Sequence, residues 1–226
     1  MCNRFRADKH NAGLYAGLDL FDERGRNMPT PFEMFPNTPA RYIHLTPEGK
    51  PTLGEGLWGM PSPPKALVTP TGKPKSYDPG VTNIRNTSSP HWRRWLGTQN
   101  RCLVPWTTFC EPDQVGGSRK DTWFALADGQ ELAWFAGVHD DLTRQVRAKD
   151  PAPTSGYFFA FLTTEANRDV AAYHDKAMPV ILTTEAECEA WLREPWDTAK
   201  VLQRPLPDGA LKVVERVGDG RQGSLE

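Results

Sequence analysis

Two short segments are apolar or aromatic on both alternating faces, and they constrain the fold more than any other feature of the sequence. The runs LAWFAGV and YFFAFL place such side chains at successive positions, whereas a strand with one face in water alternates apolar with polar residues. A strand of this kind has to be buried from both sides, in the middle of a covered sheet. The sequence therefore predicts a core built on central β-strands.

Other strand patterns recur along the chain and extend this prediction to a whole sheet. Runs rich in β-branched and aromatic residues, bounded by Gly, Pro, Asn or Asp, are typical of strands. We predict strands at Arg41–Leu45, Gly56–Met60, Arg101–Phe109, Thr122–Leu126, Glu131–His139, Tyr157–Thr164, Pro179–Thr183 and Leu211–Val217.

Helical patterns are fewer and lie between the predicted strands. Thr184 and Glu187 form a capping-box pattern ahead of AECEAWLRE, Pro90 opens HWRRWLG, and EANRDVAAY is a third candidate helix. We expect an α+β fold with a mostly antiparallel, barrel-like β-sheet core and a few flanking helices. Residues 1–217 are predicted to form a single domain, and residues 218–226 a mobile C-terminal tail.

The sequence argues against a membrane or secreted protein. No stretch approaches the roughly 20 apolar residues that cross a bilayer. The opening MCNRFRADKHN has no apolar run that could serve as a secretion signal. We expect a soluble, cytoplasmic monomer with no membrane partner.

The cysteines and histidines do not form a metal-binding pattern. No C-x-x-C pair occurs, and the histidines lack the short spacings of zinc sites. Reduced thiols, no metal site and no cofactor are therefore expected. The residues concerned are Cys2, Cys102, Cys110, Cys188, His10, His44, His91, His139 and His174.

The charge is balanced overall but unevenly distributed. The net charge is −1, which gives no general argument for a nucleic-acid partner. Between Ser62 and Cys110, however, seven cationic residues face a single acid, so that segment carries +6. The sequence is compatible with one basic surface or with charges scattered over a solvated face. The cations are Lys65, Lys73, Lys75, Arg85, Arg93, Arg94 and Arg101.

A series of short motifs, spread over most of the chain, is more specific than any of these patterns. In order, they are MCNRF from Met1, WGMP from Trp58, NIRN from Asn83, RCLVP from Arg101, FCE ending at Glu111, AGV from Ala136, TTEAN from Thr163, and His174 followed by MPVIL from Met178. The series resembles the SOS response-associated peptidase (SRAP) family, whose members crosslink to abasic sites in single-stranded DNA through an N-terminal cysteine. The resemblance extends from Cys2 to about Leu192 and departs at Asn3, where the family usually has Gly.

Cys2 has chemistry that no internal cysteine shares, provided that Met1 is removed. Its α-amino group, with a reference pKa of about 7.7–8.0, would be partly neutral near pH 7 and able to form a Schiff base with an aldehyde. The adjacent thiol can then close a five-membered thiazolidine, and an open abasic deoxyribose supplies such an aldehyde. Without the motif series, Cys2 reads as an ordinary residue near a chain terminus.

The resemblance assigns Asn83, Glu111 and His174 to the same pocket as Cys2. Glu111 suits general acid or base catalysis, and His174 suits proton exchange near neutrality, including reversal of the crosslink. The amide of Asn83 would hold the cysteine and the sugar. Without the resemblance, the sequence would indicate a surface acid at Glu111 and a structural histidine at His174.

Other residues are candidates for contacts with the DNA strand. Arg4 and Arg85 can bind phosphate oxygens bidentately, with Thr163 and Thr164 as lesser candidates for a phosphate or sugar contact. Trp58 is the candidate stacking platform for a base, although it could equally belong to the core.

Three functions remain open from the sequence. The first is covalent capture and shielding of abasic sites in single-stranded DNA, with a possible lyase-type activity. The second is a cysteine peptidase or autoprocessing enzyme that uses Cys2, Glu111 and His174. The third is a single-stranded DNA-binding protein without covalent chemistry.

Overall fold

The chain folds mainly into β-strands joined by short helical segments. The computed structural model describes residues 2–7, 14–15, 18–19, 33–115, 118 and 120–218, with the backbone alone at 14–15 and 18–19. Within them the strands are β1 (Arg4–Arg6), β2 (Leu14–Tyr15), β3 (Leu18–Asp19), β4 (Glu33–Met34), β5 (Pro39–Leu45), β6 (Pro51–Trp58), β7 (Asn83–Ile84), β8 (Arg101–Trp106), β9 (Thr108–Pro112), β10 (Asp121–Leu126), β11 (Ala133–Arg144), β12 (Thr154–Thr164), β13 (Met178–Pro179), β14 (Ile181–Leu182) and β15 (Leu211–Val217). The α-helices are α1 (Pro90–Arg93), α2 (Arg168–Ala171), α3 (Glu185–Arg193) and α4 (Trp196–Ala199).

Five strands close into a barrel. Their order is β12, β6, β5, β8 and β11, and β11 pairs again with β12 to complete the ring. The pairing of β12 with β6 is parallel, and the other four are antiparallel. The predicted α+β class with a mostly antiparallel, barrel-like core is confirmed.

A second, fully antiparallel sheet packs against the barrel. Its order is β15, β10, β9, β1 and β4. Phe5 of β1 and Phe109 of β9 belong to the same buried cluster as Phe135, Phe159 and other inward residues of the barrel strands. The alternate residues of those strands face a second cluster, which includes the tryptophans of α1 and α3. After their first residues, the partly buried Leu132 and the exposed Tyr157, the segments LAWFAGV and YFFAFL are thus buried on both faces, as their pattern predicts.

Two of the predicted strands are each split into two. The run from Arg101 divides at Thr107, where the chain leaves β8 of the barrel and enters β9 of the second sheet. The run from Pro179 divides at Val180, whose N–H donates to the Leu162 carbonyl at 2.8 Å while its own carbonyl accepts from Ala136. A continuous apolar pattern does not reveal such a change of partner.

The helix predicted from the capping box is present and the other two are single turns. In α3 the Thr184 side chain accepts from the Glu187 backbone N–H, and the Glu187 side chain accepts in return from the backbone at Thr184. This reciprocal pair satisfies N–H groups that the first helical turn would leave unbonded. α1 and α2 span four residues each.

Arg101, one of the seven cations between Ser62 and Cys110, is buried and contributes to no basic surface. Its side chain is 0% exposed, and its guanidinium donates to the carbonyls of Leu96, Trp191 and Glu194 at 2.7–2.9 Å. It therefore joins the chain after α1 to the C-terminal end of α3, where a cation is also favoured by the helix dipole.

Replacing Arg101 with leucine should lower the free energy of unfolding by about 3–5 kcal/mol, because three buried carbonyl groups would lose their donors. The same substitution at the exposed Arg93 should change it by about 0.5 kcal/mol or less. Urea denaturation of both variants measures the difference. Equal stability of the two variants would contradict this role for Arg101.

Several expectations lie partly outside the described residues. The predicted mobile tail, residues 218–226, lies outside the described residues except for Gly218. The single domain over residues 1–217 stays a prediction. None of the helices in the part of the chain that the structure describes is long and apolar enough to span a bilayer.

Candidate active site

The pairing of β1 with β9 brings the start of the chain next to Glu111. Arg4 lies opposite Cys110 and Phe5 opposite Phe109. Because side chains alternate along a strand, Glu111 points to the same side as Phe109, towards the interior. Cys2, just before β1, is 0% exposed and belongs to the same interior cluster.

Cys2 is held by polar contacts through its backbone and its thiol. The Asn83 Nδ2 atom donates to the Cys2 carbonyl at 2.8 Å. The Cys2 backbone lies close enough to the Glu111 carboxylate to lower its pKa, and the Sγ atom lies 3.4 Å from the Arg4 carbonyl oxygen. Asn83 reaches this position because β7 pairs in parallel with β12, where Asn83 is level with Phe161.

His174 also lies beside Glu111. It follows α2, and its backbone N–H donates to the Val170 carbonyl at 2.8 Å. Its Nδ1 atom is 3.3 Å from the Ala177 carbonyl oxygen and 3.8 Å from Glu111 Oε2. The neutral tautomer with its proton on Nδ1 satisfies the Ala177 carbonyl and leaves Nε2 as an acceptor, an assignment made from the hydrogen-bond network.

The structure thus brings Cys2, Asn83, Glu111 and His174 together, as the sequence predicts for a single pocket. The catalytic roles given to them remain proposals. Asn83 offers one further feature: its Oδ1 atom is buried and accepts no hydrogen bond from the described residues. That oxygen is available to a donor, such as a hydroxyl group of a bound molecule.

Burial controls the protonation of these groups. It raises the pKa of Glu111 to about 7, while the nearby Cys2 backbone acts in the opposite direction. Burial also lowers the pKa of His174, with Lys176 adding to the effect. It raises the pKa of the Cys2 thiol, and Glu111 and Cys110 reinforce that shift. Near pH 7 burial therefore favours a protonated Glu111 carboxyl group more than in water, together with a neutral imidazole and a neutral thiol.

Comparison with known proteins identifies the family. A family model described as SOS response associated peptidase (SRAP) matches residues 1–219. The chain belongs to the SRAP family. A search of curated proteins finds no significant match.

Solved structures have the same fold as this SRAP chain. A protein from Bordetella bronchiseptica is 22% identical, with a TM-score of 0.66 over 95% of this chain and 100% of its own. A protein from Bacteroides thetaiotaomicron is 18% identical, with a TM-score of 0.65 over 95% of this chain and 92% of its own. A phage-related protein from B. bronchiseptica is 18% identical, with a TM-score of 0.57 over 94% and 92%. At these identities the similarity concerns the fold alone.

The prediction that Trp58 forms an exposed stacking platform is wrong. Its side chain is 0% exposed, with its ring centroid 5.0 Å from that of Phe5 and 5.2 Å from that of Phe161. Its indole N–H donates to the Thr82 carbonyl at 3.2 Å. Trp58 is therefore a core residue of this SRAP domain, one of the two readings that the sequence left open.

Arg4, a candidate for a phosphate contact, is engaged by acidic side chains of its own chain, and its contact with DNA stays a prediction. Its guanidinium forms ion pairs with Asp121 and Glu33 and lies near the Trp123 ring. These groups are on the face of the second sheet opposite Phe5. The guanidinium of Arg4 thus forms ion pairs with residues of neighbouring segments on this face of the second sheet.

Arg85, Thr163 and Thr164 meet at the end of β12. Arg85 remains about half exposed and lies 3.5 Å from the Glu165 carboxylate. Thr163 and Thr164 are 1% and 2% exposed, and the Thr164 hydroxyl donates to Glu165 Oε2 at 3.0 Å. Their contacts with DNA stay predictions, with Arg85 the most accessible of the three.

Sequence reasoning missed Gln203 and gave no role to Glu165. Gln203 Nε2 donates to the carbonyls of Arg85 and Thr163, at 2.9 and 3.0 Å. Its only signal in the sequence is an amide in a polar segment. Glu165 lies within the TTEAN motif, which could have drawn attention to it. Among the described residues, no group of three metal-ligating side chains is assembled.

Proposed function

We propose that this SRAP protein captures abasic sites in single-stranded DNA covalently, through the amine and thiol of Cys2 after removal of Met1. The observation that carries the proposal is the position of Cys2 just before β1, which pairs with β9 and places the Cys2 backbone beside the buried Glu111 carboxylate. Removal of Met1 converts the Cys2 nitrogen from a peptide N–H into a primary amine. A base would then lie at the atom that has to lose a proton.

The first step is attack of the amine on the sugar aldehyde. Glu111 accepts a proton from the ammonium form, and the neutral amine adds to C1′ of the ring-opened deoxyribose. The resulting carbinolamine loses water, with a proton returned by Glu111 or carried by His174, and an imine remains. Loss of one water molecule balances this step.

The second step is ring closure by the thiol. Sγ adds to the imine carbon, its proton passes to the nitrogen, and a five-membered thiazolidine results. The thiol and the imine belong to one residue, so the reaction is intramolecular and has a high effective concentration. A neutral thiol, as burial favours for Cys2, is therefore adequate.

The same protonation state argues against a cysteine peptidase as the main function. Cysteine peptidases attack with a thiolate whose pKa is lowered by its surroundings, whereas burial and Glu111 raise that of Cys2. The family description retains the word peptidase. The proposal includes one peptidase reaction, which is hydrolysis of the Met1–Cys2 bond by the protein itself.

Asn83 and His174 complete the proposed site. The Asn83 amide fixes the Cys2 carbonyl and leaves Oδ1 to accept from a sugar hydroxyl. His174 Nε2 can take up a proton during dehydration or return one during reversal of the crosslink.

A denaturing gel with matched oligonucleotides tests the proposal. A single strand with one abasic site should give a slower band that survives heating, and the intact strand should give none. A retarded band with both strands only on a native gel would favour non-covalent binding. Cleavage of a peptide without any DNA adduct would favour the peptidase.

A further inference from the structure

Arg85, the most exposed of the candidates for a phosphate contact, is paired with an acidic side chain of the same molecule. Its Nη2 atom lies 3.5 Å from Glu165 Oε2, and both side chains are substantially exposed. A phosphate that binds Arg85 has to displace this carboxylate or share the guanidinium with it. The pair therefore lies where a DNA strand would meet the protein.

The backbone positions Arg85 beside the candidate active site. Arg85 follows β7 and is two residues from Asn83, whose amide binds the Cys2 carbonyl. In extended chain two residues span about 6.6 Å. A phosphate next to a sugar held at Cys2 would thus come within reach of the long Arg85 side chain.

Gln203 fixes the two chain segments that carry this pair. Its Nε2 atom bridges the Arg85 and Thr163 carbonyls, and its Oε1 atom accepts from the Thr87 hydroxyl at 2.9 Å. The ends of β7 and β12 are thereby held together. The backbone segments that carry Arg85 and Glu165 are consequently fixed relative to each other.

Glu165 is also held in place and ionised. The Thr164 hydroxyl donates to its Oε2 atom at 3.0 Å. Hydrogen bonds from its own backbone N–H and from Thr164, together with the Arg85 charge, lower its pKa. Glu165 thus carries a full negative charge near pH 7 and competes for the same guanidinium as a phosphate.

We propose that Glu165 acts as an internal competitor for the DNA phosphate at Arg85 and so weakens binding to undamaged single strands. This inference rests on the proposed function, because it takes single-stranded DNA as the partner. An exposed ion pair of this kind is weak, so a phosphate can displace the carboxylate once a strand is anchored at Cys2. Whether the DNA strand stays bound would then depend on capture of a damaged sugar and not on contacts with the DNA phosphates alone.

The competition should also appear in the salt dependence of binding. Each phosphate neutralised on single-stranded DNA contributes a log–log slope of about −0.7, through release of counterions. In the wild-type protein Glu165, once displaced, attracts a cation from solution and offsets part of that release. Without Glu165 the slope should be steeper.

The experiment measures binding of an undamaged single-stranded oligonucleotide by fluorescence anisotropy at several salt concentrations. Glu165→Gln should bind about two- to fivefold more tightly at low salt, as expected for removal of an exposed competing ion pair. Its slope should be steeper than that of the wild type. In an Arg85→Ala background the same substitution should have little effect, since the contested cation is gone.

Glu48→Gln is the matched control, because Glu48 is an exposed acid in the β5–β6 turn and its loss changes the net charge equally. Equal gains from Glu165→Gln and Glu48→Gln, or an undiminished gain in the Arg85→Ala background, would overturn the inference. If the variants bind while coupling between Arg85 and Glu165 is absent, only the inference fails. If no variant binds single strands, the DNA partner of the proposed function fails with it.

Discussion

Serine in place of Cys2 should abolish the heat-stable adduct with abasic DNA. The serine amine can still form an imine, but its hydroxyl closes a five-membered ring far less favourably than sulfur. Borohydride reduction should therefore recover a crosslink in Cys2→Ser that survives denaturation only after the reduction. The measurement is a denaturing gel of the variant and the wild type, each with and without borohydride.

Protein that retains Met1 should form neither the thiazolidine nor the reducible imine. In that chain the Cys2 nitrogen is part of a peptide bond, so it lies beside Glu111 without being nucleophilic. Mass spectrometry establishes which form is present before the gel is run. A heat-stable adduct from protein verified to retain Met1 would exclude the thiazolidine and require attack by a thiol alone or by a lysine.

Cys110 provides a specificity control for the same experiment. It is a buried cysteine on the neighbouring strand, and it lies 3.7 Å from an Arg4 nitrogen. Its backbone nitrogen is never a chain terminus, so Cys110→Ser should still form the adduct. Loss of the adduct in both cysteine variants would mean that the position of the thiol, and not the paired amine, decides capture.

The architecture was largely predictable from the sequence because it depends on local patterns. Alternation and double-sided burial identify β11 and β12, and the Thr184 and Glu187 pair identifies the one helix that exceeds a single turn among the described residues. These signals are contained within a few neighbouring residues. The barrel follows from having several such strands to bury.

The burial and the partners of individual charged and aromatic side chains were less predictable, because they depend on residues that are distant in the sequence. Arg4 is paired with Asp121, 117 positions away in the sequence. Arg101 finds its carbonyl partners near two different helices, and Trp58 is enclosed by residues of two sheets. A motif shows that such a residue matters without showing whether it faces solvent.

The site itself was predicted by resemblance and then given a physical basis by the structure. Nothing in the sequence near Glu111 indicates burial deep enough to raise its pKa to about 7. That shift results from the packing of β9 between β1 and β10, which removes the carboxylate from water. The resemblance locates the acid, and the tertiary structure determines its acidity.

Glutamine in place of Glu111 should slow adduct formation at pH 7 by about 100-fold or more, the usual range for loss of a general acid–base group. In the wild type the capture rate should rise with pH as Glu111 ionises, because only the carboxylate accepts the amine proton. With burial raising its pKa to about 7, and the ammonium of processed Cys2 favouring the ionised form, this rise should lie near or below pH 7. Single-turnover crosslinking from pH 5 to 9 measures it.

The pH dependence of Glu111→Gln separates catalysis from folding. The variant should lose the rise that Glu111 causes and keep only the one due to deprotonation of the Cys2 amine. The raised pKa means that the folded state binds the Glu111 proton more tightly than the unfolded state does, so wild-type stability should fall as pH increases from about 4.5 to about 7. Glu111→Gln should lack that fall in stability and should remain folded at pH 8. As a control at the same pH, Glu48→Gln should capture abasic DNA at the wild-type rate. A folded Glu111→Gln protein with an unchanged pH–rate profile would remove Glu111 from the proton transfers and leave His174 as the group to test.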